Sequence, residues 1–120
     1  MSDLYLHAAF ALGGGLGAVA RHTLNRVIVH ELPLSTLVVN VAGCLLLGVW
    51  VGYLGDPHIL PEEERRLVFG FCGGFTTFSS FAYQSLQLHR ERTILMAAAN
   101  ILLSLLLCWI AFWLGLRGML

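Results

Sequence analysis

The chain has 120 residues, 58% of them hydrophobic and only 12% charged, with mean hydropathy +0.78. That is too apolar for a soluble domain of this length, so the composition predicts an integral membrane protein and excludes a soluble catalytic domain. Seven arginines balance seven acids, no lysine is present, and no basic tract of the nucleic-acid-binding kind occurs.

Four apolar spans cover residues 4–29, 34–54, 67–88 and 93–116. Each is long enough for a bilayer core, which takes roughly 20 helical residues. They predict an all-α fold of four transmembrane helices forming a single domain over residues 1–120. The first span is too long for a cleaved signal peptide and carries Arg21 and Arg26 where such a segment is apolar. It also holds Gly13, Gly14, Gly15 and Gly17, and the spacing of Gly13 and Gly17 puts both on one face for close helix contact. Arg21 follows one turn later, deep in the span. An arginine there snorkels to the interface or faces a polar cavity, and the glycine-lined approach favours the cavity. His7, His22, Asn25 and Arg26 read as interfacial residues near the helix ends.

The second span opens with Pro33, Leu34, Ser35 and Thr36, a helix-start pattern. Asn40, Cys44, Gly48 and Gly52 then recur every four residues as one small, slightly polar stripe. Close packing accounts for the glycines. Taken alone, Asn40 reads as a structural hydrogen bond between helices. The polar connection over residues 55–66 contains Pro57 and Pro61, then Glu62, Glu63 and Glu64. That acid-first order suits the start of a short surface helix, but a solvated loop is the favoured reading.

The third span contains the most unusual stretch, Gly70-Phe71-Cys72-Gly73-Gly74-Phe75-Thr76-Thr77-Phe78-Ser79-Ser80-Phe81. Loosened backbone in lipid is tolerated only where it is buried in protein or lines a cavity. Broken helices at mid-membrane commonly hold ions on freed carbonyls. We therefore read an ion site here, with Gly73-Gly74 supplying a break at mid-membrane and its carbonyls suiting a hard monovalent cation such as Na⁺. Phe78 and Phe81 share a helical face. Their ring edges carry weak positive charge, which suits a small anion, although phenylalanines at this spacing are usually packing. In the fourth span Asn100, Ser104 and Cys108 form a further stripe, while Trp109 and Trp113 read as interfacial anchors.

Cys44, Cys72 and Cys108 lie in three different spans without metal-ligand spacing, so they read as small buried fillers. All seven acids (Asp3, Glu31, Asp56, Glu62, Glu63, Glu64 and Glu91) fall in connections or at the terminus. Carriers coupled to protons or cations need a carboxylate within the membrane, and no Ser/His/Asp or Cys/His arrangement supports acyl transfer. In a four-span topology, Arg65, Arg66 and Arg117 fall on one side and Arg26, Arg90 and Arg92 on the other. Orientation follows a Lys/Arg excess, which is nearly absent here. Either copies insert both ways up, or other factors set one orientation.

With these motifs in view, the chain resembles the small bacterial fluoride channels, the Fluc (CrcB) family. The likeness rests on residues 14–21, on Thr36-Leu37-Val38-Val39-Asn40-Val41-Ala42-Gly43, on the run over 70–81 and on the serine of the last span. It implies four-helix subunits assembled as an antiparallel, dual-topology homodimer with two pores. The implied activity is passive export of fluoride across the bacterial inner membrane, which lowers intracellular fluoride. By the same resemblance Asn40, Phe78, Phe81 and Ser104 line the fluoride pore and Arg21 stands near its entrance. The carbonyls of Gly73 and Thr76 hold a structural Na⁺ at the dimer centre. Three positions depart from the family pattern: Gln84 stands where glutamate is usual, Asn100 where tyrosine is common, and Cys108 where a hydroxyl residue is frequent. Two alternatives are a small multidrug-type four-helix transporter, opposed by the missing carboxylate, and a non-transporting membrane assembly subunit whose stripes serve packing.

Overall fold

The computed structural model describes residues 2–28, 34–54 and 62–118, which form five α-helices: α1 (Ser2–Val27), α2 (Leu34–Leu54), α3 (Glu62–Phe75), α4 (Phe78–Glu91) and α5 (Ile94–Gly118). No strand occurs among the described residues. Asp3 in the first turn and Arg26 in the last turn of α1 complement its dipole. In α5, Thr93 precedes the first turn and its Oγ1 accepts the Met96 N–H at 3.1 Å, relieving one donor that a helix start leaves free.

Helices α1, α2 and α5 are each long and apolar enough to cross a membrane. The third span does not form one such helix. It falls on α3 and α4, each of 14 residues. At 1.5 Å per residue either is about 21 Å long, short of the ~30 Å hydrocarbon core. The acidic triplet also differs from the favoured reading: Glu62, Glu63 and Glu64 are the first turn of α3. Three carboxylates there face the positive end of the helix dipole, and Arg66 closes an i,i+4 ion pair on Glu62 at 3.1 Å. Val29 and Pro33, and the connection holding Pro57 and Pro61, lie outside the described residues.

The helices associate as two parallel pairs, α1 with α3 and α2 with α5, while α4 lies mainly against α5. Both pairs meet backbone to backbone. A Cβ on Gly17 would strike the Phe71 carbonyl, and one on Gly74 the Gly14 carbonyl. Likewise a Cβ on Gly48 would strike the Phe112 carbonyl, and one on Gly52 would lie 2.7 Å from the Leu116 carbonyl oxygen. Small residues at such contacts let helices approach closely where lipid supplies no hydrophobic drive. The step from α3 to α4 therefore carries the chain from one pair to the other. The outward faces stay apolar, with Leu102 and Trp109 largely exposed. Near the end of α5 the Arg117 guanidinium sits 5.1 Å from the Trp113 ring centroid, a cation–π pair of the interfacial kind.

Candidate functional site

The interruption between α3 and α4 is built from two threonines and an asparagine. The Cys72 carbonyl accepts both the Thr76 N–H at 3.1 Å and the Thr76 Oγ1 hydroxyl at 3.0 Å, which finishes α3. Thr77 is extended (φ −146°, ψ 118°), and its Oγ1 accepts the Ser80 N–H at 3.1 Å as the N-cap of α4. From α2, Asn40 reaches this residue twice. Its Oδ1 accepts the Thr77 N–H at 2.8 Å and its Nδ2 donates to the Thr77 carbonyl at 3.0 Å. The side-chain amide thus takes the place of a neighbouring peptide. This is the interhelical hydrogen bond expected of Asn40, directed at main chain.

Two carbonyls lose their usual helical donors through these bonds. The Thr77 N–H that would continue the helix onto the Gly73 carbonyl goes to Asn40. The Ser80 N–H that would reach the Thr76 carbonyl goes to the Thr77 hydroxyl. Arg21 Nη1 donates to the Thr76 carbonyl at 3.4 Å, a long bond that brings a cation to the break from α1. The glycine pair does not itself make the interruption. Gly73 and Gly74 are helical, and among the described residues no glycine has positive φ. Gly74 is the contact with α1, whereas a Cβ on Gly73 would meet nothing within 4 Å.

A cleft of about 390 Å³ opens beside the break. Asn40, Gly73, Thr76, Phe78, Phe81 and Ser104 all line it, so six of the seven site residues read from the sequence converge on one space. Arg21 is not part of the lining and touches the site through Thr76. The Phe78 and Phe81 rings are 5.8 Å apart and inclined at 51°, a tilted rather than a stacked pair. Phe78 is 77% exposed on the single chain, so packing within the chain does not account for it. Ser104 is buried. Among the described hydrogen bonds, Ser85 returns to the i−4 carbonyl of Phe81 at 2.9 Å, as Thr76 does to Cys72, but Ser104 makes no such return.

Sequence reasoning missed two parts of this arrangement. Thr77 is the residue that Asn40 clamps, and Ser85 accepts a 3.0 Å hydrogen bond from Asn100 Nδ2 that ties α4 to α5. Asn100 therefore has a structural partner in place of the tyrosine common at its position. The available signal was chemical: a buried amide needs a partner, and an N-cap threonine leaves its own N–H unused by its helix.

An all-helical chain with apolar helices of bilayer length is a multi-pass membrane protein. Residues 8–116 match the family model described as CrcB-like protein, Camphor Resistance (CrcB), and the chain belongs to that family. Among curated proteins, it is 42% identical over 111 residues to a fluoride-specific ion channel FluC of Flavobacterium psychrophilum, covering 88% of this chain and 90% of that one. A protein of the same name from Rhodospirillum rubrum is 40% identical over 115 residues, covering 90% and 89%. One from Methylobacillus flagellatus is 37% identical over 118 residues, covering 93% and 92%.

Proposed function

We propose that this chain is a fluoride-specific ion channel, not an enzyme, that lets fluoride leave the cell passively across the inner membrane. The observation that carries the reading is family membership over nearly the whole chain, with relatives of that name at 37–42% identity. The cleft supports it chemically. Fluoride is small and strongly hydrated, so a selective path must replace its water with donors that need little reorganisation. Asn40 Nδ2 has two N–H groups and uses one on Thr77, leaving one for an anion. Ser104 adds a hydroxyl, the Phe78 and Phe81 edges add weak positive charge, and Arg21, donating to the Thr76 carbonyl, raises the potential beside the break.

In this reading α3 and α4 together form the third membrane crossing, broken at mid-membrane where Thr76 and Thr77 leave the helix. Two chains pair antiparallel, with their third crossings at the centre, to give two pores. Three features support the assembly: the nearly even arginine distribution, the exposed Phe78, and an interrupted backbone that needs burial in protein. The Gly73 and Thr76 carbonyls, turned free of their helical donors, are hard oxygen ligands that fit a structural Na⁺. Such an ion would fix the break electrostatically without a carboxylate. A multidrug-type transporter has no support, because the described acids Asp3, Glu62, Glu63, Glu64 and Glu91 all sit at helix ends.

The test is ion efflux from liposomes holding the purified protein, with fluoride and chloride side by side. Fluoride efflux without a proton gradient, and no comparable chloride efflux, is expected. No fluoride movement from folded protein, or equal movement of both ions, overturns the reading.

A further inference from the structure

The contact between α2 and α5 keeps a constant register. Gly48 meets Phe112 and Gly52 meets Leu116. Cys108 follows Cys44 by the same interval, so these cysteines face one another one turn earlier on the same seam. Both line the cleft beside the break. Cys72 of α3 also lines the cleft, but the described residues contain no group of three or more His, Cys, Asp or Glu side chains placed to hold a metal. The site thus offers two sulfurs from two rigidly packed helices.

We propose that Cys44 and Cys108 form a two-thiol site for a linear-coordinating, thiophilic divalent cation of the Hg²⁺ class, and that its occupancy closes the cleft. On binding, each thiol gives its proton to water and two sulfur–metal bonds form, with no change of oxidation state. Two thiolates neutralise a divalent cation, so the product places no net charge in an apolar wall. A monovalent soft cation would leave one negative charge there. Zn²⁺ takes four ligands in structural sites, and hard cations prefer oxygen. Only the closing of the cleft rests on the channel reading; the site itself does not.

The test titrates HgCl₂ into the full-length protein, purified without reductant, in two arms. In detergent, free thiols and the sulfur-to-mercury absorption band are followed. Wild type and Cys72→Ser should each take up one Hg²⁺ with loss of two thiols, whereas Cys44→Ser and Cys108→Ser should bind roughly 100-fold more weakly, since the second sulfur acts at high effective concentration. Wild-type affinity in either of these variants, or uptake that requires Cys72, overturns the site. In liposomes, fluoride efflux is compared with each protein's own untreated rate. It should stop at one Hg²⁺ per chain and return with excess dithiol. A filled site with undiminished efflux overturns the closing role. Absence of efflux from untreated wild type instead counts against the channel reading and leaves the thiol titration standing.

Discussion

Asn40 does for Thr77 what a neighbouring peptide does in a sheet, supplying one acceptor and one donor to a residue that has left the helix. Asn40→Leu keeps the volume and removes both. Each orphaned backbone group then costs of order 1–3 kcal/mol, so thermal unfolding in detergent should shift down and fluoride efflux should fall with it. Asn40→Asp should be worse for efflux, because it sets a carboxylate against the Thr77 carbonyl and a negative charge on the anion path. Unchanged stability in the leucine variant would show that the clamp carries no weight. Phe78 separates pore chemistry from packing: it is largely exposed on the single chain. Phe78→Ile should leave protein yield unaltered and cut fluoride efflux by about tenfold, the equivalent of ~1.4 kcal/mol in barrier height. Efflux near the wild-type rate from well-folded protein would reassign the ring to packing between copies. The sequence makes an amide in an apolar span conspicuous, but it cannot display Asn40's partner. That partner is a backbone group, freed only because Thr77 caps α4, and main-chain donors look alike at every position.

At the scale of helices, the glycine pair divides its duties. Gly74 lies in backbone contact with Gly14, while Gly73 borders open space. Gly74→Leu should force α1 and α3 apart and abolish folded protein, an overpacking cost above the usual ~1–3 kcal/mol because backbone cannot yield as a side chain can. Gly73→Ala should fold normally, judged by a single symmetric peak in size-exclusion chromatography. The reverse ranking would mean that the pair serves flexibility rather than contact. All four apolar spans stand out in the sequence, and α1, α2 and α5 are each one long, apolar helix. Where the third span divides into α3 and α4 is not legible in hydropathy, because that boundary is set by hydrogen bonds. The Cys72 carbonyl takes two donors from Thr76, and Asn40 takes the next N–H. The glutamate triplet misleads for a related reason. Polar residues beside prolines resemble a loop, yet three carboxylates also suit the exposed, positive end of a helix that continues inward.

For the whole molecule, the near-even placement of arginines predicts that tags on the termini will be found on both sides of the membrane in cells. Adding two or three lysines beside Arg90 and Arg92 should drive every copy into one orientation and eliminate fluoride efflux. Co-expression with a chain biased the opposite way should restore it. Activity from a uniformly oriented population would exclude the antiparallel assembly. Removal of Na⁺ is a separate probe. If the Gly73 and Thr76 carbonyls bind it between copies, replacing Na⁺ with a bulky organic cation should lower the dimer's melting temperature. Arg21→Gln should make Na⁺ harder to remove, since the guanidinium now contacts one of those oxygens. An arginine variant with weakened Na⁺ retention would place the ion elsewhere.

The division into two parallel pairs also imposes a schedule on biogenesis. A chain emerges from the ribosome N-terminus first, so α1 meets its main partner α3 while α5 is still unmade. Helix α2 has to wait. During that interval the Gly48–Gly52 face is bare, and Asn40 sits in the bilayer without Thr77 until α3 and the start of α4 have been made. The nascent protein is thus most vulnerable to membrane quality control through α2, not through the broken segment that looks weakest in the finished fold. A chain halted after Glu91 should keep its α1–α3 pairing yet be degraded quickly, and supplying α5 as a separate peptide should extend its lifetime.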